Sequence, residues 1–564
     1  MPQFTTVVDA LQHQARELGD TAAFIFRDRY HGRHVLTWAD LYTLAGRFAA
    51  LLRAGGLGRG GLVVNTLLNS PERVVSEAGV WLSGAATVNG QCLLSDGSDL
   101  LRTIRVSSAR AILVDPDVID SPWNVLKNHV TLDGDDNVTS GSLPDLKKVY
   151  FVRRVEGRVQ GDFLGRLEAL HDSFQADDVN SDDVLCVFTT SGTTGFSKLV
   201  VYTHGSFTHN MHGQMDSTGE TVLKSLGSYF SVSPLGWVGG FPGISIVQGT
   251  TRLMCDVRAG GIPEDMAEFI YKSSQNEKST SIFLPPMYLP RLVELDKADR
   301  ERKIKDSMSG PGTPPARLFN KIFLGGLPVN RYMVQAGLTL ANSVVISYGA
   351  TDFGLVSGLK LDDSQGYVDY DTGPPLKDVE VRIVSQNDKE MPLPTNQVGN
   401  ILIKRPSMMR CYLNDPQATA DAFTKDGFFR TGDVGRLDER GHLLVEGRGS
   451  DAIMRGPYIF YPSWLETRIT ACPGVREVLV VGVPDPYLHE EICACVVLDS
   501  DHVKMEQVRH FVEKDIVASE DNPLSPRPRY YLRFESFVRT ITDKLKRKEI
   551  KAQAAERLNL SYSC

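Results

Sequence analysis

The sequence predicts an α/β protein with a large N-terminal body and a small α+β unit at its C-terminal end. Three observations support this. Strand-like and helix-like runs alternate through most of the 564 residues. Apolar runs end in glycine-containing turns, as where Ile322-Phe323-Leu324 meets Gly325-Gly326 and Val344-Val345-Ile346 meets Tyr348-Gly349. After Gly447-Arg448-Gly449-Ser450-Asp451 a stretch of about 110 residues begins, the size of a small domain. In chain order, Leu41 to Leu52 reads as an amphipathic helix. Leu62 to Leu67, Ala111 to Val114, Val149 to Val152 and Val184 to Phe188 read as strands. In the last stretch, Val478 to Val483 and Ile492 to Leu498 read as strands, Val503 to Ile516 as a helix, and the basic tail as another helix. The segments 133–142 and 306–315, rich in Gly, Ser, Asp and Pro, read as the loosest.

Composition removes several classes of function. Hydrophobic content of 42% and charged content of 23% are those of a globular protein. A net charge of −8 and the lack of a long basic run argue against a nucleic-acid partner; the densest basic cluster is only Lys544 to Lys548. Eight scattered cysteines suggest no disulfide framework, which favours a reducing compartment. Cys493 and Cys495 alternate along one strand and are expected to be core thiols facing one way. The N-terminus lacks a basic region followed by an apolar core, and no apolar run is long enough to span a membrane. The C-terminal Ser561-Tyr562-Ser563-Cys564 is neither a usual peroxisomal tripeptide nor a prenylation box. The expected location is the cytoplasm.

The densest chemical signal is Thr189-Thr190-Ser191-Gly192-Thr193-Thr194-Gly195-Phe196-Ser197-Lys198, directly after a strand. Glycines let backbone N–H groups turn toward an anion, hydroxyls add donors, and Lys198 adds a point charge. This composition suits a polyphosphate. It is not a Walker A loop, because Phe196 and Ser197 separate Gly195 from Lys198.

Further motifs follow in order: Gly325-Gly326-Leu327-Pro328, Tyr348-Gly349-Ala350-Thr351-Asp352, Phe429-Arg430-Thr431-Gly432-Asp433, Gly447-Arg448 and Arg539-Thr540-Ile541-Thr542-Asp543-Lys544. Singly, each has an ordinary reading as a turn, a core aromatic or a surface lysine. Together, over nearly the whole chain, they resemble the adenylate-forming superfamily of acyl-CoA synthetases, adenylation domains and luciferases, and most of all its acyl- and aryl-CoA ligases. The resemblance implies stacked α/β subdomains plus a small barrel-like subdomain in residues 1–449. It also implies a mobile C-terminal lid, 450–564, hinged near Gly449 and Ser450. It implies that the loop containing Thr190, Ser191, Gly192, Thr193, Thr194, Gly195 and Lys198 wraps the β- and γ-phosphates of ATP. Gly325 and Gly326 would border the adenine and acyl sites, with Gly349 beside them. Tyr348 would stack on adenine, Thr351 would bond the α-phosphate, and Asp352 would hold Mg²⁺. Asp433 and Arg448 would take the ribose, and Lys544 would be the catalytic lysine.

The chain departs from the family pattern at several places. Ser197 stands where proline is usual, so the loop is expected to lose stiffness. Asp352 replaces glutamate, Asn400 stands where glutamate is common, and Asp543 replaces a glycine. Met454 stands where a lysine is frequent, in a region that lines the thiol-forming conformation. Trp237, in Ser233-Pro234-Leu235-Gly236-Trp237, occupies the place of a histidine beside the substrate carboxylate; it reads as the wall of a short pocket, as a gate that swings on ATP binding, or as a core residue. No aspartate near Tyr229 to Ser233 offers a partner for an α-ammonium, which disfavours amino acids as substrates. Phe283 to Tyr288 is expected to supply an apolar wall. His204 and His489-Glu490-Glu491 lack complementary metal ligands and read as surface or supporting residues.

The expected reaction joins a carboxylic acid to ATP, releases pyrophosphate, and passes the acyl group to CoA. Transfer to a carrier-protein thiol or an amine is the first alternative. A catalytically impaired paralogue that only binds ATP or acyl ligands is the second.

Overall fold

The structure is a computed structural model. It describes residues 4–90, 97–118, 121–153, 162–171, 176, 179–190, 197–212, 227–258, 261–306, 317–326, 328–386, 391–455, 458–460, 462–485, 489–516, 527–540 and 544–560. Contacts divide the chain into two compact units. Met1–Tyr367, Thr372–Glu380 and Ile403–Phe429 make the first; Val368–Asp371, Val381–Leu402 and Arg430–Cys564 make the second.

The first unit is built on two large sheets. One runs, edge to edge, through Cys411–Tyr412, Lys198–Thr203, Val184–Thr190, Ala86–Asn89, Leu62–Asn65, Ala111–Val114 and Lys148–Phe151. Its last five strands are parallel, and Lys198–Thr203 folds back antiparallel on Val184–Thr190. The other sheet has eight strands, with parallel pairing from Ala341–Ala350 through Phe319–Gly325, Ser281–Phe283, Ser228–Ser231 and Thr251–Cys255 to Ala22–Arg27. Antiparallel strands Gly354–Leu361 and Arg33–Thr37 close its edges. The central strands are apolar and buried on both faces, as a sheet covered by helices requires. The helix expected over Leu41 to Leu52 spans Trp38–Ala54; it starts three residues earlier because Thr37 and Asp40 form a capping box, and it buries Leu41, Leu44, Ala45, Phe48 and Leu52.

The second unit holds most of a four-stranded sheet, Glu380–Val384, Gly399–Lys404, Phe429–Leu437 and Leu443–Arg448, and a five-stranded C-terminal sheet. Strands Val475–Asp485 and His489–Leu498 form the long antiparallel pair of the latter. Their alternation sorts two cores. Ile492, Ala494, Val496 and Leu498 face helices Pro462–Thr470 and Met505–Ile516. Cys493, Cys495 and Val497 face Ile550 and Ala554 of helix Arg547–Arg557. The two thiols are fully buried side by side, and their mutual contact together with burial raises the Cys493 thiol far above its usual range. They are core residues.

Segment 133–142 is not loose. It closes a two-stranded hairpin of Thr131–Leu132 with Val138–Thr139. The Asp133 carboxylate accepts from the backbone N–H groups of Asp135 and Asn137 and from the Asn137 side chain, so the polar residues that suggested disorder make the turn. Segment 306–315 begins at the end of helix Leu289–Asp306 and otherwise lies outside the described residues. Among the described residues, no helix is long and apolar enough to cross a membrane.

Candidate active site

In the first unit, Thr190 and Lys198 are direct partners across the antiparallel pair, so the intervening loop has both ends fixed on a sheet. Ser191, Gly192, Thr193, Thr194, Gly195 and Phe196 lie outside the described residues. The Thr189 hydroxyl donates to the Asn89 carbonyl at 2.9 Å, tying this strand end to its parallel neighbour. The Lys198 ammonium lies 4.6 Å from the centre of the Tyr412 ring, a cation–π contact. The Tyr412 hydroxyl donates to Asp352 Oδ1 at 2.6 Å. One aromatic residue thus links the lysine of the first motif to the carboxylate of the third.

Ser197 is not loosely held. It is buried; its N–H donates to Asp99 Oδ1 at 3.0 Å and its hydroxyl to Asp99 Oδ2 at 2.6 Å. The expected loss of stiffness is therefore corrected: a side-chain clamp restrains the chain where a proline ring does so elsewhere. One indirect signal of it was present in the sequence, since replacing proline creates an N–H that needs an acceptor when buried.

The strand Ala341–Ala350 carries Tyr348 and Gly349 to its C-terminal end, where Thr351 is buried and Asp352 is half-buried. Gly349 has no room for a side chain: a Cβ would stand 2.5 Å from the Gly354 carbonyl oxygen in the next strand. Tyr348 packs at a tilt on Phe353, with ring centres 5.9 Å apart. Gly325 pairs with Ser347, and Gly326, at φ 79°, turns the chain in the left-handed region. Leu327 lies outside the described residues.

Tyr229, Phe323 and Val345, with Phe283 against them, make an apolar patch across four neighbouring parallel strands on the way to these turns. Beyond strand Ser228–Ser231, the loop holding Trp237 is pinned from two sides. The Asn69 side chain accepts from Leu235 N–H at 2.7 Å and donates to the Ser233 carbonyl at 3.2 Å. The buried Arg252 donates to the Gly240 carbonyl at 2.7 Å and the Ser231 hydroxyl at 3.0 Å, and burial lowers its pKa. The half-buried Trp237 indole lies over Gly239, where a Cβ would come 2.6 Å from the ring. Asp99, Tyr412, Asn69 and Arg252 were not legible as site residues, because their roles depend on contacts distant in sequence.

In the second unit, strands Phe429–Leu437 and Leu443–Arg448 pair Asp433 opposite Arg448. Arg448 Nε lies 3.0 Å from Asp433 Oδ1, and its Nη1 donates to the Thr431 carbonyl at 3.0 Å. Lys544 belongs to the same electrostatic group. It keeps accessible surface, but crowding by the surrounding protein and then the Arg448 charge hold its ammonium below the usual lysine range, while Asp433 opposes them. Its turn closes on itself: Thr540 N–H donates to the Lys544 carbonyl at 2.8 Å, and Lys544 N–H donates to the Thr540 hydroxyl at 3.1 Å. Arg547 anchors the turn to Asp451 at 3.2 Å and Glu466 at 2.8 Å. Asp543 lies outside the described residues, and Met454 sits in strand Ile453–Arg455.

His204 is buried rather than on the surface. Its Nδ1 accepts the Val7 N–H at 3.3 Å, and burial pushes it down to about 4, so it is neutral. Glu490 and Glu491 are buried and ion-paired with Lys551 and Arg455. Among the described residues no cluster of three or more metal-ligating side chains occurs.

Comparison with known proteins agrees with the motifs. Residues 11–413 match the model of the AMP-binding enzyme family, and residues 465–554 match that of the AMP-binding enzyme C-terminal domain. A 4-coumarate–CoA ligase of Oryza sativa subsp. japonica is 26% identical over 493 residues, covering 85% of this chain and 81% of that protein. A 2,3-dihydroxybenzoate-AMP ligase of Bacillus subtilis is 26% identical over 432 residues, covering 74% and 72%. The crystal structure of an anthranilate CoA ligase, AuaEII, in complex with anthranoyl-AMP superposes with a TM-score of 0.81 at 18% identity, covering 99% of both chains.

Proposed function

Because the chain belongs to the AMP-binding enzyme family, we propose that it activates a carboxylic acid with ATP and transfers the acyl group to CoA. In the first half-reaction the substrate carboxylate attacks the α-phosphorus of ATP; the bond to the bridging oxygen breaks and pyrophosphate leaves, giving an acyl-adenylate. Attacker and leaving group are both anionic, so rate comes from positioning and charge neutralisation. In the second, the CoA sulfur attacks the acyl carbon and AMP leaves.

The residues divide these tasks. Lys198, Thr190 and the hydroxyl- and glycine-rich loop they bound hold the β- and γ-phosphates. Thr351 bonds the α-phosphate. Tyr348 lies against adenine, with Gly325, Gly326 and Gly349 bordering the adenine and acyl sites. Asp433 and Arg448 hold the ribose, and Lys544 sits at the α-phosphate and substrate carboxylate. Asp352, already oriented by the Tyr412 hydroxyl, would offer its carboxylate to a Mg²⁺. When bound, that ion supplies charge neutralisation. Trp237 and the apolar patch of Tyr229, Phe283, Phe323 and Val345 suit a medium-sized apolar or aryl acid. Division at 449/450 into a main body and a lid bearing Lys544 accompanies this reading.

The observation that supports it most is the gathering of Lys544, Asp433 and Arg448, from three separate motifs, into one electrostatic group. The test is to incubate the protein with ATP, Mg²⁺, CoA and candidate aryl and medium-chain acids, and to follow thioester and AMP. Thioester formation with one acid is expected. Adenylate without thioester, trapped by hydroxylamine, would favour the alternative of transfer to a carrier thiol or an amine. Met454 in place of the frequent lysine, and the likeness to an AMP ligase, make that the second reading.

A further inference from the structure

Helix Ser98–Ser107 reaches Ser197 with two side chains one turn apart. Asp99 accepts both the N–H and the hydroxyl of Ser197, and Arg102 Nη1 donates to the Ser197 carbonyl at 3.0 Å. Residues three apart on a helix share a face, so this spacing lets one helix grip both peptide groups of a single residue. The Ser197 carbonyl belongs to the peptide bond of Lys198. Asp99 and Ser197 are each only 1% exposed, so breaking the grip strands a buried carboxylate as well as a buried N–H.

We propose that Asp99 and Arg102 are positioning residues for Lys198, holding its ammonium where it meets the leaving pyrophosphate. This rests on the functional reading above. Ser197 and Asp99 then form one unit: an N–H and a hydroxyl on one side, a carboxylate with two acceptor oxygens on the other. Proline at 197 would fix φ but offer neither donor, so the carboxylate is useful only where the serine is present. Asp99 and Arg102 touch no substrate themselves; they act through Ser197.

The test is a double-mutant cycle of Asp99→Ala and Ser197→Pro, with Asp99→Asn and Arg102→Ala as single variants. The dissociation constant for ATP is read by calorimetry, KM and kcat by pyrophosphate exchange, and folding by thermal melting. Asp99→Ala in the unaltered background is expected to weaken ATP binding about 10-fold, the loss typical of charge-assisted hydrogen bonds, mostly in KM. Arg102→Ala should weaken it by about 3-fold and Asp99→Asn by less than Asp99→Ala. In the Ser197→Pro background, Asp99→Ala should change ATP affinity by less than about 2-fold. Equal effects of Asp99→Ala in both backgrounds, or no effect in the first, with melting unchanged, would overturn the proposal while leaving the functional reading intact. Failure of the unaltered protein to bind ATP would overturn both.

Discussion

Two lysines dominate this molecule, and they are held by different means. Lys198 opens a strand within a seven-stranded sheet, is paired backbone to backbone with Thr190, and lies on the Tyr412 ring. Moving it means breaking a ladder. Lys544 sits in a short turn held by Thr540 and by ion pairs of partly exposed side chains, Arg547 with Asp451 and Arg539 with Glu477. Such pairs contribute only about 0–1 kcal/mol each. A cation that grips the leaving pyrophosphate gains from a fixed sheet, whereas the bonds and ion pairs around Lys544 all join residues of 450–564 to one another and would travel with it in a lid that turns before a thiol attacks. The difference in scaffolding therefore matches the two roles proposed.

The largest expected effect breaks the second region. Lys544→Ala should lower pyrophosphate exchange about 10²–10³-fold, the usual loss on removing one preorganised charge, and leave the ATP dissociation constant within about 2-fold. Equal losses in binding and rate would remove the distinction between the two lysines. In the first region, Asp352→Ala should cost about 10-fold or more in exchange and raise the Mg²⁺ concentration needed for half-maximal rate, with Asp352→Glu largely restoring both. A Mg²⁺ requirement unchanged in Asp352→Ala would contradict the ligand assignment.

Smaller effects sharpen the contrast in rigidity. Gly349→Ala places a methyl against the Gly354 carbonyl, so the strand pair must shift; a loss of about 1–3 kcal/mol in stability is expected, together with weaker ATP binding. A variant as stable as the parent would show the first region to be more yielding than described. An acid effect of similar size is expected in the first unit. His204 is held near 4, below the unfolded value of about 6.5, so the unfolded chain binds more protons between those values. Stability should fall by up to about 3 kcal/mol as pH drops from about 6.5 to about 4, then level off. His204→Gln should flatten that segment of the melting profile, and an unchanged profile would reject the assignment.

How much of this could be read from the sequence follows the range of each interaction. Even a strand as short as Ala111–Val114 was legible, because burial on both faces leaves an uninterrupted apolar stretch. The alternation of Cys493 and Cys495 was legible for a similarly local reason, the period of two along a strand. Segment 133–142 misleads because Gly, Ser and Asp serve tight turns as well as loose loops, and only the Asp133 hydrogen bonds distinguish them. The family and its motifs were legible because each motif is contiguous. The clamp on Ser197 was not: Asp99 lies 98 residues away, and Tyr412 reaches Asp352 across 60. His204 reads equally as a surface or a supporting residue because a lone histidine carries no sign of the backbone N–H it will accept.

The measurement that bears most directly on the proposed chemistry is ATP–pyrophosphate exchange by the unaltered protein across a panel of aryl, medium-chain and short carboxylic acids. Acid-dependent exchange with at least one of them is expected, with Mg²⁺ required. ATP binding without exchange for any acid would contradict the proposed adenylation and leave a nucleotide-binding protein that does not activate acids.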